Sequence, residues 1–113
     1  MRPDDILLLD MLLAAREAVD FVHGSSPREF EQDRMRQLAV IKSIEVIGEA
    51  ASRISDEFCS AHPELPWHDI VGMRHRLVHG YFEINLRRVW QTVCEDLPKL
   101  IETLEKLSPP EES

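Results

Sequence analysis

Two lines of apolar residues constrain what this chain can fold into more than any other feature. Val40, Ile44, Ile47, Ala51, Ile54 and Phe58 form one; Leu86, Trp90, Val93, Leu97, Leu100, Leu104 and Leu107 form the other. Both advance by alternating steps of four and three, which averages close to the helical repeat of about 3.6 residues and keeps each line on one side of an α-helix. A strand would bury every second residue instead. Between Pro3 and Val22 two such lines lie side by side: Leu8, Leu12, Ala15, Val19 and Val22 next to Leu7, Met11, Ala14, Ala18 and Phe21. A face that wide touches more than one partner helix. The pattern predicts an all-α fold, a four-to-five-helix up-down bundle without strands, in a single domain over residues 1–113. The broad face of the first helix and the length of the second also point to a homodimer.

Punctuation sets the boundaries. Gly24 ends the first helix, and Ser26, Pro27 and Glu29 form a start signal: a serine cap, a proline that fits the first turn, and a glutamate three residues on. The second helix is expected to run from there to about Cys59, with room for a break near Asp33. Gly48 costs it about 1 kcal/mol of helix propensity, which close approach by another helix would explain. Pro63 and Pro66 make 62–66 a connector. A third helix is expected from Trp67 to His79, stopped by Gly80 as a left-handed cap. A fourth runs from a cap at Asn85 to Leu107, kinked by Pro98. The tail at 108–113 reads as frayed.

Charge excludes some functions. The net charge of −8 argues against a broad nucleic-acid-binding surface, because nonspecific affinity comes from neutralising phosphates. The deficit is uneven, however. Residues 73–88 hold Arg74, Arg76, Arg87 and Arg88 against a single acid, Glu83, so a compact cationic site on an acidic body fits the composition. Asp10 breaks the longest apolar stretch, no run reaches the roughly 18 residues that span a bilayer, and the N-terminus carries acids where a secretory signal is basic. The expected location is the cytoplasm, with no membrane association. Cys59 and Cys94 read as reduced, packed thiols; Cys94 should be buried by the fourth helix, and no spacing pairs it with a histidine as a nucleophile.

The chemistry concentrates in MRHRLVHGYF, residues 73–82, where Arg74, His79 and Tyr81 stand in the order R-x4-H-x-Y. An arginine fork binds phosphate oxygens through two parallel hydrogen bonds, and histidine gives or takes a proton near neutral pH. Together they suffice in principle to cleave RNA without a metal, with the 2′-hydroxyl as nucleophile. On one helix, Arg74 and His79 would lie about 140° apart, so the helix end must bend the histidine round or a second subunit must supply the partner.

Plainer roles exist for each residue. Arg74 and Arg76 could pair with acids on an exposed helix, His79 could cap a C-terminus, and Tyr81 could be a half-buried anchor. His75 and His79, i and i+4, with His68 and Asp69 nearby, make only half of a zinc site, so no metal is assigned. Glu45 and Glu49, one turn apart, read as solvated or paired with Arg53.

With its surroundings, this motif resembles the HepT-like toxins of the HEPN superfamily. The resemblance extends over nearly the whole chain: EFEQD at 29–33, IEVIGEA at 44–50, LPW at 65–67, GMRHRLVHGYF at 72–82, VW at 89–90 and DLP at 96–98. It implies a HEPN-like, dimerising α bundle and a metal-independent endoribonuclease toxin with Arg74 and His79 catalytic. It also implies a minimal nucleotidyltransferase antitoxin, as in type VII toxin–antitoxin systems, that neutralises the toxin by attaching AMP to Tyr81. His75, Arg76, Arg87 and Arg88 are the candidate RNA-binding residues, no cofactor is expected, and a small structured RNA such as tRNA suits a compact site best. The alternative is a noncatalytic helical partner of the nucleotidyltransferase, in which Tyr81 and the basic cluster serve docking.

Overall fold

A computed structural model of the chain describes residues 3–80 and 83–107. The first helix, α1 (Pro3–Val22), buries Leu8, Met11, Leu12, Ala14, Ala15, Ala18 and Val22, so both apolar lines are used. It packs most extensively on α3 (Arg34–Ser52) and then on α8 (Leu97–Leu107). Asp4, at the start of α1, accepts hydrogen bonds from the backbone N–H and hydroxyl of Ser55, just beyond the end of α3 (3.0 and 2.6 Å). The two long helices therefore run antiparallel.

The expected second helix is three helices. Ser26 and Glu29 form the capping box, each side chain accepting the other residue's backbone N–H (3.1 and 3.0 Å), and start α2 (Pro27–Glu31). The chain breaks at Asp33, whose carboxylate caps α3 by accepting from the Arg36 N–H. Gln37 is buried and its amide donates to the Phe30 and Glu31 carbonyls at 2.8 and 3.1 Å, tying the start of α3 to the end of α2. At the far end α3 stops at Ser52 instead of continuing to Cys59. Ser55 starts a new helix, α4 (Asp56–Ala61), by accepting from the Phe58 N–H. A side-chain oxygen that competes for backbone donors overrides an apolar line that would otherwise continue.

Trp67–Val71 (α5) and Met73–Leu77 (α6) replace the single third helix, with Gly72 between them. Strands were not expected, yet β1 (Val78–His79) pairs antiparallel with β2 (Glu83–Ile84), Val78 opposite Ile84 and His79 opposite Glu83. The fold is therefore mostly helical with one minimal hairpin. Asn85 caps α7 (Leu86–Gln91) by accepting from the Arg88 N–H. Residues Thr92–Asp96 are π-helical, and the Leu97 N–H reaches back to the Thr92 carbonyl. Pro98 follows: it lacks the N–H an α-helix needs there, and a wider turn ahead of it avoids the ring clash. The turn also shifts the buried line, which runs Val89, Val93, Leu97, Leu100, Leu104, while Leu86 and Trp90 are half-buried. Cys94 sits on the π turn and is exposed, contrary to expectation, and Cys59 is partly buried. Desolvation, then neighbouring acids (Asp56 and Asp4 for Cys59, Glu95 for Cys94), push both thiols up, away from a reactive thiolate. Among the described residues no helix is long and apolar enough to cross a membrane. The expected frayed tail at 108–113 lies outside those residues.

Candidate functional site

The site is organised by α6, a five-residue helix. Met73 and Leu77, one turn apart, are its buried anchors. With those two turned inward, the three residues between them point away from the core in three directions. Arg74 and Arg76 are about 200° apart around the axis, so they leave opposite sides of the helix.

Arg74 turns toward α3. Its Nε lies 3.7 Å from Oε2 of Glu45, and the two side chains are 41% and 43% exposed. That Nε is buried and makes no hydrogen bond. The inner edge of the guanidinium is thus held inside while the side chain as a whole reaches the surface. Glu45 was expected to be solvated or paired with Arg53; it is instead the acid facing Arg74. The available signal was Gly48, one turn further along α3. A Cβ on Gly48 would stand 3.3 Å from the Val71 carbonyl oxygen and 3.4 Å from that of Ile70. Glycine therefore lets the end of α5 press against α3, and α6 starts two residues later, within reach of Glu45.

Arg76 turns the other way, over the α5–α6 junction. It donates to the Asp69 carbonyl at 2.8 Å and lies 3.9 Å from the Asp69 carboxylate. It borders two adjoining cavities. One, of about 240 Å³, is also lined by Arg88, Thr92 and Asp96. The other, of about 400 Å³, has a floor of Leu65, Ile70, Met73, Leu97 and Leu100, with Lys99 at its edge. The structure thus brings Arg76 and Arg88 together, but on the far side of α6 from Arg74. His75 and Arg87 are exposed.

The helix does not reach His79. Val78 is extended (φ −125°, ψ 121°) and the Leu77 carbonyl accepts from the Asn85 N–H at 2.8 Å, so the chain leaves α6 as a strand. His79 is exposed on that strand, opposite Glu83. Gly80 has φ 79°, a left-handed conformation, and serves the hairpin instead of a helix cap. The rotation that would separate Arg74 from His79 on one helix no longer applies, and neither does the shared face of His75 and His79. Among the described residues no group of three or more histidines, cysteines or acids is placed to hold a metal ion. Tyr81 lies outside the described residues.

Comparison with known proteins agrees with the family resemblance. The family model described as "Ribonuclease HepT-like" matches residues 11–107. "Probable ribonuclease HepT" of Thermococcus cleftensis is 44% identical over 100 residues, 88% of this chain and 91% of that protein. "Putative RNase TTE0752" of Caldanaerobacter subterraneus is 38% identical over 73% of each chain. "Putative RNase MJ1380" of Methanocaldococcus jannaschii is 37% identical over 87% of this chain and 90% of its own length. No solved structure matches the chain. A match over almost the entire helical core, with relatives of similar length, means that this chain belongs to the HepT-like ribonuclease family.

Proposed function

We propose that the protein is a metal-independent endoribonuclease toxin that cleaves RNA with Arg74 and His79. The observation that carries this reading is the end of α6: the helix holds Arg74 with its Nε buried, then gives way to a hairpin that exposes His79 five residues later. In the cleavage step the 2′-hydroxyl loses its proton as its oxygen bonds to phosphorus. The bond to the 5′-oxygen breaks, and that oxygen takes up a proton. The products are a 2′,3′-cyclic phosphate and a 5′-hydroxyl. His79 is the proton-transfer group. The outer nitrogens of Arg74 take the charge that builds on the phosphoryl oxygens.

Arg87 and Arg88 on α7, with His75, would hold flanking phosphates. Arg76 has a competing attachment to Asp69. Exposed Leu13 (45%), Met35 (84%) and Leu38 (47%) on α1 and α3 support assembly into a homodimer. Tyr81, two residues past His79, is the acceptor for AMP from a nucleotidyltransferase antitoxin. A bulky anionic phosphodiester there would repel RNA from the site.

The test is cleavage of RNA by purified protein in EDTA, wild type beside His79→Ala, with mass spectrometry to establish that Tyr81 is unmodified. Cleavage by the wild type alone, leaving cyclic phosphate ends, supports the proposal. No cleavage by unmodified wild type would sink it and favour a noncatalytic partner of the nucleotidyltransferase.

A further inference from the structure

We infer that Glu45 is a positioning residue for Arg74, aiming its guanidinium at the scissile phosphate from a different helix; this rests on the ribonuclease reading above. Arginine is a long side chain, and its value to a phosphoryl transition state depends on where the fork points. Three observations show what points it. The Nε is buried without a hydrogen-bond partner, so the inner edge of the guanidinium faces the protein while the rest of the side chain reaches the surface. The carboxylate of Glu45 faces that same Nε at 3.7 Å, on the edge of the guanidinium that a phosphate gripped by the outer nitrogens would not use. Glu45 itself is set by a rigid contact: one turn along α3, Gly48 meets the backbone carbonyls that end α5, immediately before the helix that carries Arg74. The helix pair α3 and α5–α6 thus forms the frame of the site, with Glu45 and Arg74 as its facing members.

Both side chains are about two-fifths exposed, and ion pairs this accessible add little to stability. Removing the carboxylate should therefore leave the fold intact and misdirect the fork. The experiment is steady-state cleavage of one RNA substrate by wild type, Glu45→Ala, Glu45→Gln, Arg74→Ala and the double variant, with thermal melting of each.

The inference expects Glu45→Ala to lower kcat about 10- to 100-fold, the scale of a reacting group displaced by about 1 Å, with KM and the melting temperature little changed. Glu45→Gln, which keeps an oxygen acceptor, should fall between. In the Arg74→Ala background the second substitution should add less than about twofold, because its only route is through Arg74. Glu49→Ala, an exposed acid on the same helix, should match wild type. Wild-type rates in Glu45→Ala, or a loss that multiplies with that of Arg74→Ala, would overturn the inference while leaving the ribonuclease reading standing. Failure of the unmodified wild type to cleave would overturn that reading itself. Should Glu45→Ala not fold, the Glu45→Gln rates decide by the same criteria.

Discussion

Substitution of Gly48 tests the frame of the site directly. Alanine there improves the helix propensity of α3 by about 1 kcal/mol. Against this, its Cβ would sit 3.3 and 3.4 Å from the two carbonyl oxygens at the end of α5. Those are backbone atoms, so α5 must retreat by a few tenths of an ångström, a small overpacking penalty that offsets the propensity gain. The expected net change is under about 1 kcal/mol, or a melting shift within about 8 °C. Valine at 48 brings two further carbons into the same gap and loses part of the propensity gain through β-branching. It should destabilise by about 1–3 kcal/mol.

The functional effect should be steeper than the stability effect. Gly48 and Glu45 lie on one helix, and pushing α5 outward takes Arg74 from its acid. Gly48→Ala should cleave RNA several-fold more slowly, and Gly48→Val about 100-fold more slowly, at temperatures where both remain folded. Thermal melting and initial cleavage rates on the same preparations provide the comparison. A Gly48→Val protein as stable and as active as wild type would refute the close approach of α3 to α5 and the reasoning built on it.

Three further expectations follow from other parts of the molecule. Phe30 is fully buried with its ring centroid 5.6 Å from that of Trp90, so Phe30→Ala should destabilise by about 3–5 kcal/mol in urea titration. A loss below 1 kcal/mol would mean that α2 is not docked as described. Glu29 accepts the Ser26 backbone N–H and bonds its side chain, which holds its carboxyl below the usual glutamate value. A depressed acid stabilises the fold above its unfolded pKa and loses that contribution as pH falls through the folded value. Glu29→Gln should therefore lower stability at pH 7 and converge with wild type in acid, and parallel pH curves would contradict the capping box. Arg87→Ala and Arg88→Ala together should weaken RNA binding and flatten its salt dependence by about 0.7 per lost contact, read from log–log affinity plots. An unchanged slope would remove these arginines from the RNA path.

The sequence read correctly wherever one local rule acted alone. The extent of α1, the capping box at Ser26, the cap at Asn85 and the close approach at Gly48 all follow from residue type and spacing. It misled where two rules competed. The line from Val40 to Phe58 is continuous, but Ser55 captures a backbone donor and cuts it, whereas the break at Asp33 is the one the sequence left room for. The heptad reading of residues 86–107 missed Val89 because periodicity assumes one residue count per turn. His79 and Gly80 looked like a helix end, since the pairing of Val78 with Ile84 is a tertiary event that no four-residue window contains. The motif itself was plain in sequence. Glu45 was not, because the contact between residues 45 and 74 depends on how two helices meet.

The π turn at Thr92–Asp96 sets how the last third of the chain tolerates change. That stretch holds one more residue than an α-helix would place between the same two anchor points. Side-chain substitutions at its exposed positions leave this spacing untouched. Loss of one residue from the turn removes the extra one: the segment could close toward a regular helix with everything beyond it still in phase, though the Pro98 ring would then clash with the preceding turn. Loss of a second residue, or gain of one, has no such slack and would rotate everything beyond by about 100°. Leu100 and Leu104 would then leave the core, where they are now 9% and 0% exposed. The end of this chain is specified by its length as well as by its letters, and the π turn gives that length one residue of slack, in the direction of loss only.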